Sequence, residues 1–339
     1  MPKKLSIKTI GIAYNLKRKN TSDDSCEEYD EIETIRAVET EIKRYGFKTV
    51  RLEQDGNFFA KLAREKIDFV FNLAEGIGAG RGRESQVPCI LESLRMPYSG
   101  SDPIALGITL DKCLTNVILR ANVIPVPQMY LVNDSRLFPF GNEIFDEGKN
   151  FIVKPRWEGS SKGIFLNSVA VDYGSLKKRV GFVIKKYKQP AVIEEFLPGD
   201  EITAAVCGNA NKSRLLGMMR IAPKEKSPRF FLYSIENKRD WKEKIKYEPP
   251  MVIPSPARGL ITRYALCAFR ALELRDIARI DFRLDQNNIP RIIDINPLAG
   301  LSPCYSDLPI LYRLNGGNYS KLVRIILKEA LARYGVRLK

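Results

Sequence analysis

Apolar positions follow two periods in the first third of the chain. Residues 7–14 form a short apolar run that predicts a strand, and over 27–45 Ile32, Ile35, Val38, Ile42 and Tyr45 recur at helical spacing before Gly46. A strand over 47–52, a helix over 58–65, a strand over 67–72, a glycine-rich loop through Gly82 and a helix over 84–95 continue the alternation. Strands separated by helices predict an α/β layer whose mostly parallel sheet is covered on both faces. Ligands of such sheets meet the carboxyl ends of the strands, so the loop over 72–84 is expected to face a cleft.

Pro125 and Pro127 mark a boundary, after which strands dominate over 129–132, 151–154, 191–196, 201–207 and 215–221. This predicts a separate α+β lobe. The basic, proline-interrupted stretch over 222–256 is too long for an ordinary connection and reads as a functional lid. A helix over 257–274, a hairpin over 279–296 turning at Asn287 and Asn288, and an amphipathic helix over 319–334 complete the pattern.

At 339 residues the chain exceeds one compact core and suits two or three domains. Hydrophobic residues at 44% against 28% charged exclude disorder as the dominant state. No run approaches the roughly 18 apolar residues of a membrane helix, and the first residues lack the apolar centre of an export signal, so a cytoplasmic protein without a membrane partner is expected. The six cysteines make no paired spacing and are expected to be reduced and mostly packing. With no histidine, Ser-His and Cys-His nucleophiles and imidazole-dependent zinc sites are excluded. The net charge of +15 would attract nucleic acid, acidic surfaces or phosphorylated small molecules; a solvated lysine-rich surface would give the same number.

Three segments carry candidate chemistry. In the hairpin, strand alternation puts Ile280, Phe282 and Leu284 on one face and Arg279, Asp281 and Arg283 on the other. On its second strand Asp294 and Asn296 share a face, with Ile293 and Ile295 pointing away. Two carboxylates and an amide oxygen of this kind suit Mg²⁺ beside substrate phosphates, although a surface ladder of Arg and Asp pairs would look the same. An apolar strand next delivers Lys154 into the run Glu158-Gly159-Ser160-Ser161-Lys162-Gly163, where small residues let backbone N–H groups close over phosphate oxygens. It lacks the Walker spacing, and a bare Gly/Ser turn is the alternative. Finally, Glu194, Glu195 and Glu201 bracket Pro198-Gly199, placing acids that can accept an amino group or ribose hydroxyls.

In this order the pieces resemble the ATP-grasp superfamily, and more closely the D-alanine-D-alanine ligase family, from Ile7 to about Arg333. The matching sequences are Pro97-Tyr98-Ser99-Gly100-Ser101, Leu110-Asp111-Lys112, Val153-Lys154-Pro155 with Glu158-Gly159-Ser160-Ser161, Glu194 through Glu201, Ala278-Arg279-Ile280-Asp281-Phe282, and Asn296 with Gly300-Leu301. The resemblance implies three domains, over 1–124, 125–221 and 222–339, with ATP gripped between the last two. Carried over by residue, Lys112 and Lys154 resemble the phosphate-binding lysines, Glu194 and Glu201 the adenine and ribose acceptors, and Phe196 and Leu197 the backbone that reads the purine edge. Lys238 resembles a lid lysine that closes on the γ-phosphate. Asp281, Asp294 and Asn296 resemble the ligands of one or two Mg²⁺ ions, which Mn²⁺ could replace. Arg279 and the Gly300 N–H resemble an oxyanion site, Ser160 a further catalytic hydroxyl, and Ser306 the hydroxyl that binds the second substrate's carboxylate.

The chain also departs from that family. Its members open with a Gly-Gly-x-Ser-x-Glu element where this sequence has Tyr14-Asn15-Leu16; the lid tyrosine after Lys238 is Arg239, the loop histidine is Glu75, and the second metal acid is Asp294 in place of Glu. Glu75, Arg83 and Glu84 are the candidates to line the altered first-substrate pocket, with a solvated salt-bridge cluster as the alternative. The expected activity is an ATP-dependent carboxylate-amine ligation of the D-alanine-D-alanine ligase type, forming a dipeptide or amide through an acyl phosphate and releasing ADP and phosphate. Alternatives are the joining of other amino acids or a peptide acceptor, including an acidic partner drawn by the positive charge, or a catalytically inactive nucleotide- or nucleic-acid-binding protein. No aromatic-basic platform or recognition helix supports nucleic acid as a partner, and a homodimer is left open.

Overall fold

The computed structural model describes residues 6–18, 24, 26–145, 148–225 and 231–338. In chain order the first layer contains β1 (Thr9–Tyr14), α1 (Ile32–Arg44), β2 (Lys48–Glu53), α2 (Phe58–Arg64), β3 (Phe69–Asn72) and α3 (Gln86–Ser93). β1 lies between β2 and β3 and pairs with both in parallel. Its near-continuous apolar run follows from burial on both faces. Ile10 and Ile12 pack with Ile35, Val38 and Ile42 of α1, whereas Ala13 belongs to the core of α2 and α3. The expected helix over 27–45 begins only at Ile32, so residues 27–31 are a loop.

Two helices that the periodicity did not announce come next, α4 (Pro103–Leu110) and α5 (Lys112–Ala121). Asp102 caps the first, and Asp111 ends it while accepting from the Cys113 and Leu114 N–H groups that start the second. That shared cap places Lys112 at the head of α5.

A four-stranded antiparallel sheet follows, built from β4 (Met129–Val132), β5 (Phe151–Pro155), β6 (Val169–Ala170) and, after α6 (Tyr173–Tyr187), β7 (Ala191–Glu195), in the order β4-β7-β5-β6. α6 was also absent from the sequence expectation; a capping box at Asp172 and Ser175 starts it, and Leu176, Val180 and Val183 bury it on the sheet.

The remaining strands form one five-stranded sheet. β8 (Glu201–Asn209) and β9 (Arg214–Pro223) precede α7 (Ile235–Arg239), α8 (Trp241–Lys244), β10 (Ile245–Glu248) and α9 (Ser255–Ala271); β11 (Arg275–Leu284) and β12 (Pro290–Asn296) close the order β10-β9-β8-β11-β12. The sheet therefore changes between Glu195 and Glu201, whereas the expected central lobe ran on to residue 221. α9 covers one face, and the other is buried on α10 (Asp307–Leu314) and α11 (Tyr319–Arg333), whose core is continuous with that of α1 and β1. A buried ionic knot fixes this junction: Arg333 donates to both oxygens of Asp276 at 3.0 and 2.9 Å, and the Gly100 N–H donates to the same carboxylate at 2.8 Å.

The stretch over 222–256, expected as a lid, carries regular elements: β10 pairs along the edge of β9, and α7 and α8 precede it; residues 226–230 lie outside the described set. The expectation for the cysteines needs correction in part. The cysteines form no disulfide, but only Cys207 is buried, and Cys89, Cys267 and Cys304 are exposed. Among the described residues no helix is long and apolar enough to cross a membrane.

Candidate active site

Two adjoining cavities, of about 360 Å³ and about 80 Å³, lie where the three sheets meet. Lys112, Glu158, Ser160, Lys238, Arg279 and Asp294 line both. Residues predicted from five separate segments are thus brought to one place.

The smaller cavity collects Lys154, Glu194, Phe196, Leu197, Glu201 and Asp281. Lys154 Nζ donates to Glu194 Oε1 at 2.6 Å, while Glu194 Oε2 is buried without a partner. A buried carboxylate oxygen in this state awaits a donor. Arg283 lies 4.5 Å from the Phe196 ring centroid and donates to the Leu197 carbonyl at 2.6 Å and to Glu201 at 3.0 Å. Of the backbone groups at Phe196 and Leu197 expected at a purine edge, the Phe196 N–H donates to the Asn150 carbonyl at 2.8 Å.

Between the cavities stands the hairpin. Arg279 opposes Asn296 and Asp281 opposes Asp294, but the register then shifts, so that Phe282 opposes Ile292 and Ile293 is an extra residue. Ile293 consequently lines the smaller cavity with Asp294 rather than pointing away from it. Arg279 grips Asp281 with two bonds of 2.9 Å and reaches Asp307 at 3.3 Å. Burial alone would lower the guanidinium pKa, but these carboxylates raise it above the ordinary value. Asp281 is held low against its own burial, chiefly by Arg279, and also accepts from Thr203 at 2.6 Å and Asn296 at 3.0 Å. Lys112 donates to the Glu158 carbonyl at 2.8 Å and pairs with Asp294 at 3.3 Å.

On α7, Lys238 is aimed at both cavities without an ion pair among the described residues, and burial lowers its pKa. Its neighbour Arg239 crosses to Glu27 at 2.9 Å, closing the segment over the larger cavity. Ser160 and Ser161 are consecutive left-handed residues, at φ +48° and +60°, and the Ser161 hydroxyl donates to the Tyr233 carbonyl at 3.0 Å.

The larger cavity holds Gly300 and Ser306 together: a Cβ on Gly300 would lie 2.8 Å from Ser306 Oγ, which itself accepts from the Ser302 N–H at 3.0 Å. Glu75 and Glu84 also line this cavity, but Arg83 does not. Arg83 is buried behind the wall, where it binds Glu28 at 2.8 Å, Glu158 at 3.3 Å and the Trp157 carbonyl at 2.8 Å. Glu28 carries no signal along the chain, because it falls inside the expected helix over 27–45. Its carboxylate also accepts from the Gly159 N–H at 2.7 Å, tying the Gly/Ser run to the first layer. Asn15, at the departure from the family's opening element, accepts from the Glu75 and Gly76 N–H groups at 2.8 and 3.0 Å and so places Glu75. Gly76 is at φ +93°, and a Cβ there would meet the Arg83 carbonyl at 2.1 Å.

Residues 124–328 match the family model described as the D-ala D-ala ligase C-terminus. The chain belongs to the D-alanine-D-alanine ligase family. Like other members of this ATP-grasp family it is an ATP-dependent carbon–nitrogen ligase. It is 30% identical to the uncharacterized protein y4sG of Sinorhizobium fredii, over 88% of this chain and 87% of that one. It is 28% identical to the D-alanine--D-alanine ligase of Carboxydothermus hydrogenoformans, over 88% and 93%. Among solved structures it is similar to the Bacillus anthracis D-alanine--D-alanine ligase complexed with ATP, with a TM-score of 0.73 and 22% identity over 97% of this chain and 99% of that chain. The VanG D-Ala:D-Ser ligase of Enterococcus faecalis shares the fold at a TM-score of 0.71 and 16% identity.

Proposed function

We propose that the protein joins the carboxylate of one amino acid to the amine of another amino acid or a peptide, forming the amide through an acyl phosphate at the expense of ATP. The observation that carries this reading is the opening of Arg279 and Gly300 into the same cavity as Lys112, Lys238 and Asp294. A site for nucleotide binding alone has no use for a guanidinium set apart from the phosphate lysines.

The smaller cavity fits a nucleoside. The unpartnered Glu194 Oε2 accepts an adenine amino group, Glu201 a ribose hydroxyl, and Lys154 and Lys112 bind phosphate oxygens. Asp281, Asp294 and Asn296 provide the hard oxygen donors that suit Mg²⁺, and would hold it once Asn296 releases Asp281. Bound there, the ion supplies charge neutralisation to the phosphates.

Within this frame the substrate carboxylate oxygen attacks the γ-phosphorus, the bond to the β-phosphate oxygen breaks, and ADP leaves. Lys112 and Lys238 attract the moving charge. The amine nitrogen then adds to the acyl carbon and gives up a proton, and inorganic phosphate departs with its oxygen. Arg279 and the Gly300 N–H receive the negative oxygen of the tetrahedral intermediate. The Arg239–Glu27 contact draws α7 over the larger cavity, where exclusion of water would protect the acyl phosphate from hydrolysis.

Mass spectrometry of products from pooled D- and L-amino acids with ATP and Mg²⁺, together with ADP release, tests the reading. A new amide mass with stoichiometric ADP is expected. ATP binding with no ADP from any acid and amine pair would overturn it.

A further inference from the structure

The larger cavity is anionic although the chain carries a net charge of +15. Most of its carboxylates have a cation at hand. Glu27 meets Lys17 and Arg239; Glu28 and Glu158 share Arg83 and Lys162; Asp294 meets Lys112; Asp307 meets Arg279. Four do not: among the described residues, the side chains of Asp30, Glu31, Glu75 and Glu84, all lining the cavity, show no ion pair or hydrogen bond, but Glu31 is exposed to solvent, which leaves Asp30, Glu75 and Glu84. Glu84 is only 8% exposed, so its carboxyl group meets solvent through the cavity alone. Lys238, the cavity cation without a pair, feels Asp307, Asp281 and Glu27 rather than these three.

Burial of carboxylates without counter-ions is costly. Burial pushes Glu84 up to about 8 and Asp30 up to about 7, and Glu75 is raised by burial together with Glu84 and Glu28. Arg83 is nearest in sequence to Glu84, yet its guanidinium is committed to Glu28 and Glu158. Asn15 accepts from the Glu75 and Gly76 N–H groups, which fixes the backbone from which the Glu75 side chain departs. A single α-ammonium would satisfy one carboxylate and leave the others exposed to each other.

We infer that the substrate held against the first layer is a diamino acid, whose side-chain ammonium or guanidinium is received by Glu75, Glu84 and Asp30 alongside its α-ammonium. This rests on the ligase reading for the presence of an amino-acid substrate, and it replaces the expectation of an acidic partner. The +15 charge then serves the nucleotide, and the cavity sorts the amino acid by the opposite sign.

Lysine and norleucine share a four-carbon side chain and differ in the terminal ammonium, so they isolate the claim. Calorimetry of D- and L-lysine and D- and L-norleucine on the enzyme saturated with Mg²⁺ and a non-hydrolysable ATP analogue is expected to show one lysine enantiomer binding about tenfold or more tighter than its norleucine counterpart. Glu84→Gln and Glu75→Gln, both near-isosteric, should each remove most of that preference. Norleucine binding as well as lysine in both configurations, or no binding of either, overturns the inference without any need for the variants. ADP release separates the two readings: release with alanine or norleucine but not lysine sinks the diamino acid and keeps the ligase, whereas a lysine preference in binding with no ADP from any pool sinks the ligase and keeps the cation site.

Discussion

Lys154 Nζ lies 2.6 Å from Glu194 Oε1, with both side chains almost fully buried, and it links a strand of the four-stranded sheet to its neighbour at the floor of the smaller cavity. Removing the lysine strands a carboxylate that already has one unpartnered oxygen. Lys154→Met is therefore expected to weaken ATP binding by about 10- to 100-fold, the range of a charged hydrogen bond, and to lower stability by about 3–5 kcal/mol. Calorimetric titration with ATP and chemical denaturation check the two effects; unchanged affinity in a folded variant would contradict the phosphate role.

Arg279 should behave differently, because the oxyanion exists only after binding. Arg279→Lys keeps a positive charge between Asp281 and Asp307 but loses the planar fork. Amide formation is expected to fall about 10²- to 10³-fold with ATP affinity nearly unchanged. Product formation measured against nucleotide titration reads the split, and an equal loss in both would refute it.

Gly300→Ala presses a methyl to within 2.8 Å of Ser306 Oγ. Overpacking of this kind costs about 1–3 kcal/mol. Adding Ser306→Ala removes the obstructing oxygen, so thermal unfolding of the double variant should recover part of the loss, whereas additive losses would show that the two residues do not meet.

The buried four-charge network makes Arg83 a structural tie. Arg83→Met leaves Glu28 and Glu158 sharing Lys162 alone, and a loss of about 3–5 kcal/mol is expected in denaturant unfolding, with greater protease sensitivity in the 158–163 run. A loss below 1 kcal/mol would show that the network is not coupled to folding.

Stability should also decline with pH. The Glu84 carboxyl titrates near 8 in the folded chain against 4.5 for an unperturbed group, so between those values the folded state binds the extra proton and stability falls as pH rises. Asp30, near 7 against 3.8, acts in the same direction. Glu84→Gln is expected to match the parent at pH 4 and to exceed it at pH 8, by on the order of a few kcal/mol. Melting temperatures of the two proteins across that range test this; parallel curves would mean that Glu84 is solvated.

What the sequence disclosed was set by period and by local chemistry. β1 and α1 were visible because one buries two apolar faces and the other a stripe, and the hairpin because its alternation places Asp281 and Asp294 on one side. α5 escaped notice because its buried face, Lys112, Thr115, Asn116 and Leu119, is mostly polar, whereas α6 carries a legible apolar stripe at Leu176, Val180 and Val183 behind its cap at Asp172. Arg83 was expected in the pocket since its neighbours are, and only three-dimensional packing turns it toward Glu28. Glu28 itself could not be found by spacing, because the loop that carries it sits beside an amphipathic stripe that hides the helix start. Its partners are 55 and 131 residues away in the chain.

The extra residue at Ile293 makes the hairpin asymmetric in what it tolerates. Shortening β12 there by one would still leave Asp281 across from Asp294 and Phe282 across from Ile292, so neither the core nor the acids would change sides. Only an aliphatic patch on the wall of the smaller cavity would disappear. The smaller cavity can thus be reshaped by single-residue length variation, while the facing acids stay in register.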